Sequence, residues 1–154
     1  MQPHRAQEAG AVALPTRKRK ETEPMQFLQP PGWARPKGYS NGIVASGRMV
    51  FVAGQVGWDE QEQFRSDDLV AQVRQALGNI VAVLAAADAR PAHIVRMNWY
   101  LADSVEYNAR LAEIGAVYRE LIGKHFPVMT ALQVAGFVEK GAKVEIEVTA
   151  MLPA

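Results

Sequence analysis

The last segment of the chain, residues 142–152, alternates strictly between two kinds of side chain. Apolar residues take every second position, namely Val144, Ile146, Val148, Ala150 and Leu152. The positions between them hold Lys143, Glu145, Glu147, Thr149 and Met151. Because successive side chains of a strand point to opposite faces, this pattern predicts a long strand with one buried face and one open face. The rest of the chain must therefore supply a sheet and an apolar layer that covers one side of it.

Two amphipathic helices are predicted to form that layer. Residues 67–87 repeat apolar side chains at helical spacing, with Asp67 as the expected cap: Leu69, Val73, Leu77, Ile80 and Leu84. The second helix should begin at Asp103-Ser104 and stop at Gly123, with this stripe: Tyr107, Leu111, Ile114, Tyr118 and Leu121.

The remaining segments read as strands. Residues 42–46 and 49–56 are short β-rich runs around Gly47-Arg48, which predicts a hairpin. Residues 93–103 alternate, with one face formed by Val95, Met97, Trp99 and Leu101, and residues 128–137 form another strand. The order ββ-α-β-α-ββ predicts an α+β fold with two helices on one face of a mixed sheet. The open face, with Met129 or Thr130, Gln133 and the two glutamates, is half apolar and suggests subunit association.

Composition is that of one soluble domain. The chain has 154 residues, of which 49% are hydrophobic and 21% charged, so it can bury a real core. A net charge of +1 argues against a protein built to bind nucleic acid, and the lack of cysteine excludes disulfides and thiolate chemistry. No apolar run reaches the roughly 20 residues of a membrane span. We therefore expect a cytoplasmic protein with no membrane association.

Residues 1–24 differ from the rest of the chain. They include a basic run at 17–20 and show no helical or strand period, which predicts a disordered tail before a single domain at 25–154. The basic run is either a solvated tail or a nucleic-acid or targeting patch, and we favour the former. Removing the tail should leave the melting temperature within about two degrees.

Few residues suggest chemistry directly. The three histidines, His4, His93 and His125, have no partner at metal-ligand spacing, so we expect no metal site. Glu145 and Glu147 share one face of a strand. They form either an exposed salt-bridge ladder with Lys143 or a carboxylate site able to hold a water or take a proton. The segment 126–135 is either core packing or the lining of a site.

Five sequence blocks, in order, carry a family resemblance. They are Tyr39-Ser40-Asn41-Gly42, Val50-Phe51-Val52-Ala53-Gly54-Gln55, Gln75-Ala76-Leu77-Gly78-Asn79-Ile80, the run 126–135 (FPVMTALQVA) and the run 141–147 (GAKVEIE). From Tyr39 to Leu152 the chain resembles the Rid family of reactive-intermediate deaminases, also called the YjgF or L-PSP endoribonuclease-like family.

The resemblance implies a chorismate-mutase-like α+β fold and a homotrimer that binds a small molecule in clefts between subunits. It also implies cofactor-free hydrolysis of reactive enamines and imines to a keto acid and ammonia. By position, Tyr39 matches the cleft tyrosine, and Glu145 matches the carboxylate that orients the attacking water. Thr130 and Gln133 fall in the substrate-binding block.

One departure from the family pattern affects the substrate site. The deaminating branch places an arginine, which clamps the substrate carboxylate, at the position of Met129, and a cleft asparagine at the position of Gly115. A thioether cannot make a bidentate contact with a carboxylate. Losing such a contact costs on the order of 3 kcal/mol, roughly a hundredfold in affinity. We therefore expect slow hydrolysis of 2-imino acids. The nearest basic candidate in the matching blocks is Lys143, which precedes the glutamate and is expected to point into solvent rather than replace the arginine.

Two functions remain open from the sequence. The first is a divergent Rid-type hydrolase that acts on a small imine or enamine through Glu145 and Tyr39. The second is a non-catalytic ligand-binding or regulatory trimer, which includes the RNA-linked role implied by the endoribonuclease and translation-inhibitor names of relatives. Salt-dependent RNA binding, with and without the tail, separates them.

Overall fold

The structure, a computed structural model, describes residues 25–154. The sequence-predicted tail at 1–24 lies outside the described residues. The strands are β1 (Met25–Leu28), β2 (Gly42–Ala45), β3 (Arg48–Val56), β4 (Ile94–Leu101), β5 (Val128–Gln133) and β6 (Val144–Leu152). The helices are α1 (Leu69–Ala85), α2 (Ser104–Ala109) and α3 (Leu111–Leu121), and a 3₁₀ turn at Pro91–His93 leads into β4.

The main sheet has the order β3-β6-β4-β5. β6 lies between β3 and β4 and is antiparallel to both, and β5 runs parallel to β4. The parallel pair requires a crossover, which α2 and α3 provide. The predicted α+β fold, with helices on one face of a mixed sheet, is confirmed.

The core lies between the helices and that face. All five apolar residues of the α1 stripe are buried, as are all five of β6, which confirms both periodicities. From α3, Ile114, Val117 and Tyr118 are buried against them, while Leu111 is 48% exposed. Burial of each aliphatic side chain contributes about 1.5–3 kcal/mol, so this layer provides most of the stability of the fold.

The predicted hairpin of residues 42–46 and 49–56 is wrong. β2 pairs with β1, whereas β3 pairs with β6. Gly47, at φ 136°, turns the chain beside the carbonyl of Leu152, where any side chain would collide with that oxygen. The turn therefore directs β3 onto β6, which is as long as β3 and offers it more hydrogen bonds than the four-residue β2 could.

The predicted helix limits shift by small amounts. Asp68, rather than Asp67, caps α1, since its carboxylate accepts a hydrogen bond of 2.9 Å from the Ala71 N–H. The predicted second helix is divided at Arg110, whose backbone leaves the helical region (φ −116°, ψ 21°). The Arg110 guanidinium pairs there with Asp68 and Glu113. Because Asp68 caps α1, these ion pairs connect the start of α3 to the start of α1.

At the beginning of β4, the buried face differs from the one that the sequence predicts. Ile94 is fully buried, whereas Val95 is not. The pairing of β4 with β6 shifts register between Ile94 and Arg96, which turns Val95 out of the alternation. From Met97 onward the predicted faces of this strand are confirmed.

Candidate functional site

The face of the sheet opposite the helices carries aligned polar side chains. Strand register places residues of three strands side by side, because paired residues point to the same face. The three rows, in the order β6-β4-β5, are Thr149-Arg96-Val128, Glu147-Asn98-Thr130 and Glu145-Tyr100-Leu132. The β4 members of these rows come from the outward positions of a strand whose inward side chains fill the core.

A cavity of about 310 Å³ lies where β5 begins. It is lined by Tyr39, Ser40, Asn41, Arg96, Asn98, Val128, Met129 and Thr130. The volume lies at the lower end of the range typical of small-molecule sites. The structure therefore brings together three of the residues expected from the sequence, Tyr39, Met129 and Thr130.

Ser40 fixes the position of Tyr39 in this cavity. Its N–H donates to the Pro127 carbonyl at 3.1 Å and its hydroxyl to the Phe126 carbonyl at 2.5 Å, and it forms a bridge with Val128. These bonds attach the segment before β2 to the start of β5. Tyr39 remains 41% exposed, so its ring is presented to the cavity rather than packed into the core.

Met129 and Thr130 occupy the cavity wall in different ways. Thr130 lies opposite Asn98 on the open face. Met129 lies opposite the buried Met97 and packs against the core cluster. Met129 therefore contributes to the cavity wall while it packs toward the helix-covered face of the sheet.

Arg96 and Asn98 are cavity residues that the sequence-based prediction missed. Both lie on β4 and also line a second cavity of about 470 Å³, together with Phe51, Val52, Ala53, Glu147, Val148 and Thr149. Arg96 is exposed and forms no ion pair or side-chain hydrogen bond with any residue between 25 and 154. Arg96 lies outside the five matching blocks, so it does not bear on the expectation that no basic residue within those blocks replaces the family arginine.

Glu147 is held in a hydrogen-bond network on the open face. The Tyr100 hydroxyl donates to its Oε1 at 2.6 Å and the Asn98 amide to the same oxygen at 2.9 Å. These two hydrogen bonds hold the pKa of Glu147 below its usual range, and the bond from Tyr100 has the larger effect. The same contact raises the pKa of Tyr100. The salt-bridge ladder with Lys143 does not form, because Lys143 pairs with Glu106.

Glu145 lies in the next row of the same face. Its carboxylate occupies the space beside Gly54 where any larger residue would place its Cβ. β3 changes register between Val52 and Gln55, so this glycine sits at an irregularity of the strand. The absence of a side chain at position 54 is what lets the carboxylate lie against β3.

Glu145 and Tyr39 lie at different levels of one protomer. Tyr39 is next to Ser40, which bridges to Val128 at the level of Arg96, whereas Glu145 lies opposite Tyr100. Four residues of β4 separate these levels, about 13 Å at the usual rise of a strand. The two expected catalytic residues therefore do not meet within a single chain.

The other two expected site residues lie elsewhere. Gln133 pairs with the buried Leu101, and its amide oxygen accepts hydrogen bonds of 2.9 Å from the N–H and the hydroxyl of Ser104. Its predicted position on the open face is wrong, since it stabilises the start of α2 instead. Gly115 lies on α3, where an added Cβ would approach only the end of Arg119. Neither residue lines the two cavities.

The described histidines have structural contacts. His125 Nε2 lies 2.6 Å from the Ile94 carbonyl and so donates to it, and His93 Nδ1 accepts from the Arg90 N–H at 2.9 Å. Within residues 25–154, no three histidine, aspartate or glutamate side chains are grouped as metal ligands require. None of the helices in that range is long and apolar enough to cross a bilayer.

Comparison with known families identifies the fold. The family model described as Endoribonuclease L-PSP matches residues 33–152. The chain belongs to this family. The Rid-type resemblance of the five blocks is thereby confirmed, and so is the Rid fold, because solved Rid and YjgF structures superpose on the chain.

Individual relatives cover most of the domain. A human protein named 2-iminobutanoate/2-iminopropanoate deaminase is 30% identical over 114 residues, 73% of this chain and 79% of the relative. A Rid-family protein of unknown function from Yersinia pestis is 30% identical, with a TM-score of 0.75 over 84% of this chain and 100% of the other. A YjgF-family protein from Mycobacterium tuberculosis is 35% identical, with a TM-score of 0.56 over 75% and 87%.

Proposed function

We propose that this Rid-family protein is a cofactor-free hydrolase that deaminates a small reactive imine or enamine. The observation that carries the proposal is the cavity in which Tyr39 meets Met129 and Thr130, in a chain 30% identical to a protein named as an imine deaminase. Glu145, the second candidate, has a carboxylate placed on the open face by Gly54.

The reaction adds water across a carbon–nitrogen double bond. Glu145 takes a proton from the water as the water oxygen bonds to the imine carbon and the π electron pair moves to nitrogen. Glu145 then returns the proton to that nitrogen. The resulting carbinolamine expels ammonia as the carbonyl forms, so one imine and one water give one carbonyl compound and one ammonia. Tyr39 shapes the pocket around the reacting carbon.

The active assembly in this proposal is a homotrimer with sites between subunits. Glu145 and Tyr39 lie about 13 Å apart along the strands of one chain, too far for one small substrate. Large apolar side chains also remain exposed: Phe51 is 71% exposed, Met49 54% and Leu132 53%. A neighbouring subunit that covers this face would bury them and bring its own residues to each cleft.

Ammonia release tests the proposal. Imines generated in situ by an amino-acid oxidase or dehydratase should be hydrolysed faster with the protein than without it. Glu145→Gln should reduce this acceleration by about 10²–10⁴-fold, as expected when a general base is lost. Glu113→Gln on the outer surface of α3 is the matched control and should retain the activity. If the protein accelerates the hydrolysis of none of the imines supplied, the proposed hydrolase activity is contradicted.

Sedimentation or light scattering tests the assembly separately. A trimer at micromolar concentration is expected, and a stable monomer would contradict the intersubunit site. Ligand binding by a trimer that does not accelerate hydrolysis would instead support a ligand-binding or regulatory protein.

A further inference from the structure

The side-chain amide of Asn98 is held in one orientation on the open face of the sheet. Its Nδ2 lies 2.9 Å from Glu147 Oε1, and the Tyr100 hydroxyl reaches the same oxygen at 2.6 Å. These contacts lower the pKa of Glu147, so its carboxylate is ionised at neutral pH. An ionised carboxylate only accepts hydrogen bonds, so the NH₂ group of Asn98 must be the donor. Exchanging the nitrogen and the oxygen of this amide would place two acceptors against each other.

The amide oxygen of Asn98, Oδ1, is left as an open acceptor. Nδ2 and Oδ1 are the two branches of a planar group, so the oxygen points away from Glu147 and its strand β6. The residue on the other side of Asn98 is Thr130 of β5. No residue between 25 and 154 donates a hydrogen bond to Oδ1, and within that range the only fully buried side-chain polar atom without a partner is Trp99 Nε1. Oδ1 is therefore open to solvent and available to a ligand.

Asn98 lines the Tyr39 cavity, where its oxygen differs from the neighbouring hydroxyl groups. The hydroxyls of Tyr39 and Thr130 can donate or accept a hydrogen bond, so they tolerate either kind of ligand group. The oxygen of Asn98 can only accept, because Glu147 prevents the amide from turning over. A ligand group that contacts this oxygen without donating would leave it unpaired, which is how a polar site rejects an analogue that lacks a proton.

We infer that Asn98 Oδ1 accepts a hydrogen bond from the reacting nitrogen of the substrate, and that Glu147 is the positioning residue that fixes the amide for this role. The inference rests on the proposed function and concerns specificity within it. An imine or enamine nitrogen that carries a proton makes this bond, and so does the ammonia that leaves. A ketone of the same shape has a methyl group in place of the nitrogen and makes no such bond. The contact requires no charge on the ligand.

Two neutral ligands of the same shape test Asn98 without requiring turnover. Butanamide and pentan-2-one differ only in an NH₂ group that replaces a methyl group next to the carbonyl. Ligand-observed NMR on the full chain would give the ratio of their Kd values, pentan-2-one over butanamide. In Asn98→Leu, we expect this ratio to fall by about 3- to 10-fold, as one neutral hydrogen bond is lost. General damage to the cavity would weaken both ligands and leave the ratio unchanged.

Asn108→Leu is the matched control, and Glu147→Gln tests the positioning role. Asn108 is an exposed residue of α2 that lines neither cavity, so its replacement should leave the ratio unchanged. In Glu147→Gln the new amide can donate as well as accept, which frees the Asn98 amide to turn over. If half of the molecules hold the productive orientation, the Kd of butanamide doubles and the ratio falls by about twofold. A wild-type ratio in Glu147→Gln would overturn the positioning role.

Four results would overturn the role of Asn98. They are an unchanged ratio in Asn98→Leu, an equal weakening of both ligands, a loss of the ratio in Asn41→Leu instead, and an absence of binding of either ligand by the wild type. Asn41 is the other side-chain amide of the cavity and lies in an exposed bend. Failure of the proposed function gives a different result, because butanamide would bind through Asn98 while no imine is hydrolysed. Conversely, hydrolysis with an unchanged kcat/KM in Asn98→Leu would leave the hydrolase intact and remove Asn98 from it.

Discussion

The two faces of the main sheet are formed by the same strands but have opposite chemistry. On β6, the side chains facing the helices are apolar and at most 6% exposed, whereas those facing away are two glutamates, a threonine and a methionine, all partly exposed. The first face contributes stability through close packing. The second holds charges and cavities that a close-packed core could not accommodate, so changes to the two faces should affect different properties.

Removing a side chain from the helix-covered face should have the largest effect. Leu77 of α1 is fully buried, so Leu77→Ala should lower the free energy of unfolding by about 2–5 kcal/mol through lost burial and the cavity left behind. Urea unfolding measures the change. Val83→Ala on the same helix, where the side chain is 41% exposed, should cost less than about 1 kcal/mol. Equal costs at both positions would contradict the layered core.

On the open face, the Tyr100–Glu147 contact should give a smaller, pH-dependent effect. Tyr100→Phe removes the hydrogen bond that the tyrosine hydroxyl donates to Glu147. It should lower the free energy of unfolding by about 1 kcal/mol at pH 7. Because the pKa of Glu147 is lowered on folding, its stabilisation is present above the unfolded value of about 4.5 and is lost as the pH falls through the folded pKa. The difference between wild type and variant should therefore shrink on acidification.

Unfolding at pH 7 and pH 3 would measure this loss. Tyr107→Phe is the matched control, since the Tyr107 ring packs against Trp99 rather than against Glu147. The free energy of unfolding that Tyr107→Phe removes should be the same at pH 7 and at pH 3. A Tyr100→Phe cost that stays constant with pH would show that the hydrogen bond does not favour the charged carboxylate.

Gly54→Ala should separate activity from stability. An added methyl would meet the carboxylate of Glu145, the flexible end of a side chain, which can move at little cost to the fold. We therefore expect a loss of imine hydrolysis of about tenfold or more, in line with the sensitivity of catalysis to misplaced groups. Gly78→Ala is the control, because it has free space in the middle of α1 and should stabilise the protein by about 0.5–1 kcal/mol. Unimpaired hydrolysis in Gly54→Ala would remove Glu145 from the reaction.

Met129→Arg should change activity rather than stability. The new guanidinium would supply the bidentate contact to a substrate carboxylate that a thioether cannot make, so kcat/KM for an anionic imine should rise, by at most about a hundredfold, measured as ammonia release. An unchanged kcat/KM would show that the wild-type cavity already binds the carboxylate through another residue.

Local sequence patterns predicted well which faces of the helices and strands are buried. The α1 stripe, the alternation of β6 and the cap at Asp103 depend on neighbours a few residues apart, and all are confirmed. The pairing of the strands was less predictable. The short β1 follows a segment without clear periodicity, and the hairpin expected around Gly47 was replaced by contacts with the end of the chain.

The candidate site was only partly predictable for the same reason. Tyr39, Met129 and Thr130 were expected from the five blocks and share a cavity, whereas Gln133 faces the other way and contacts Ser104. Arg96 carried one available signal, a charged residue at an outward position of an otherwise apolar strand. Its place in the wall of the Tyr39 cavity depends on β4 and β5 pairing in parallel across a helical crossover, which no local pattern reveals.

The sequence by itself therefore determined the family, the α+β class and the face of each long element that is buried, because periodicity and the five blocks are properties of the chain read in order. Only the tertiary structure decided which strands pair and which charges face the cavity. Those depend on register, and a shift of one residue moves every side chain to the opposite face. Arg96 comes to lie opposite Val128, and Glu145 beside Gly54, through contacts between segments more than 30 residues apart in the chain.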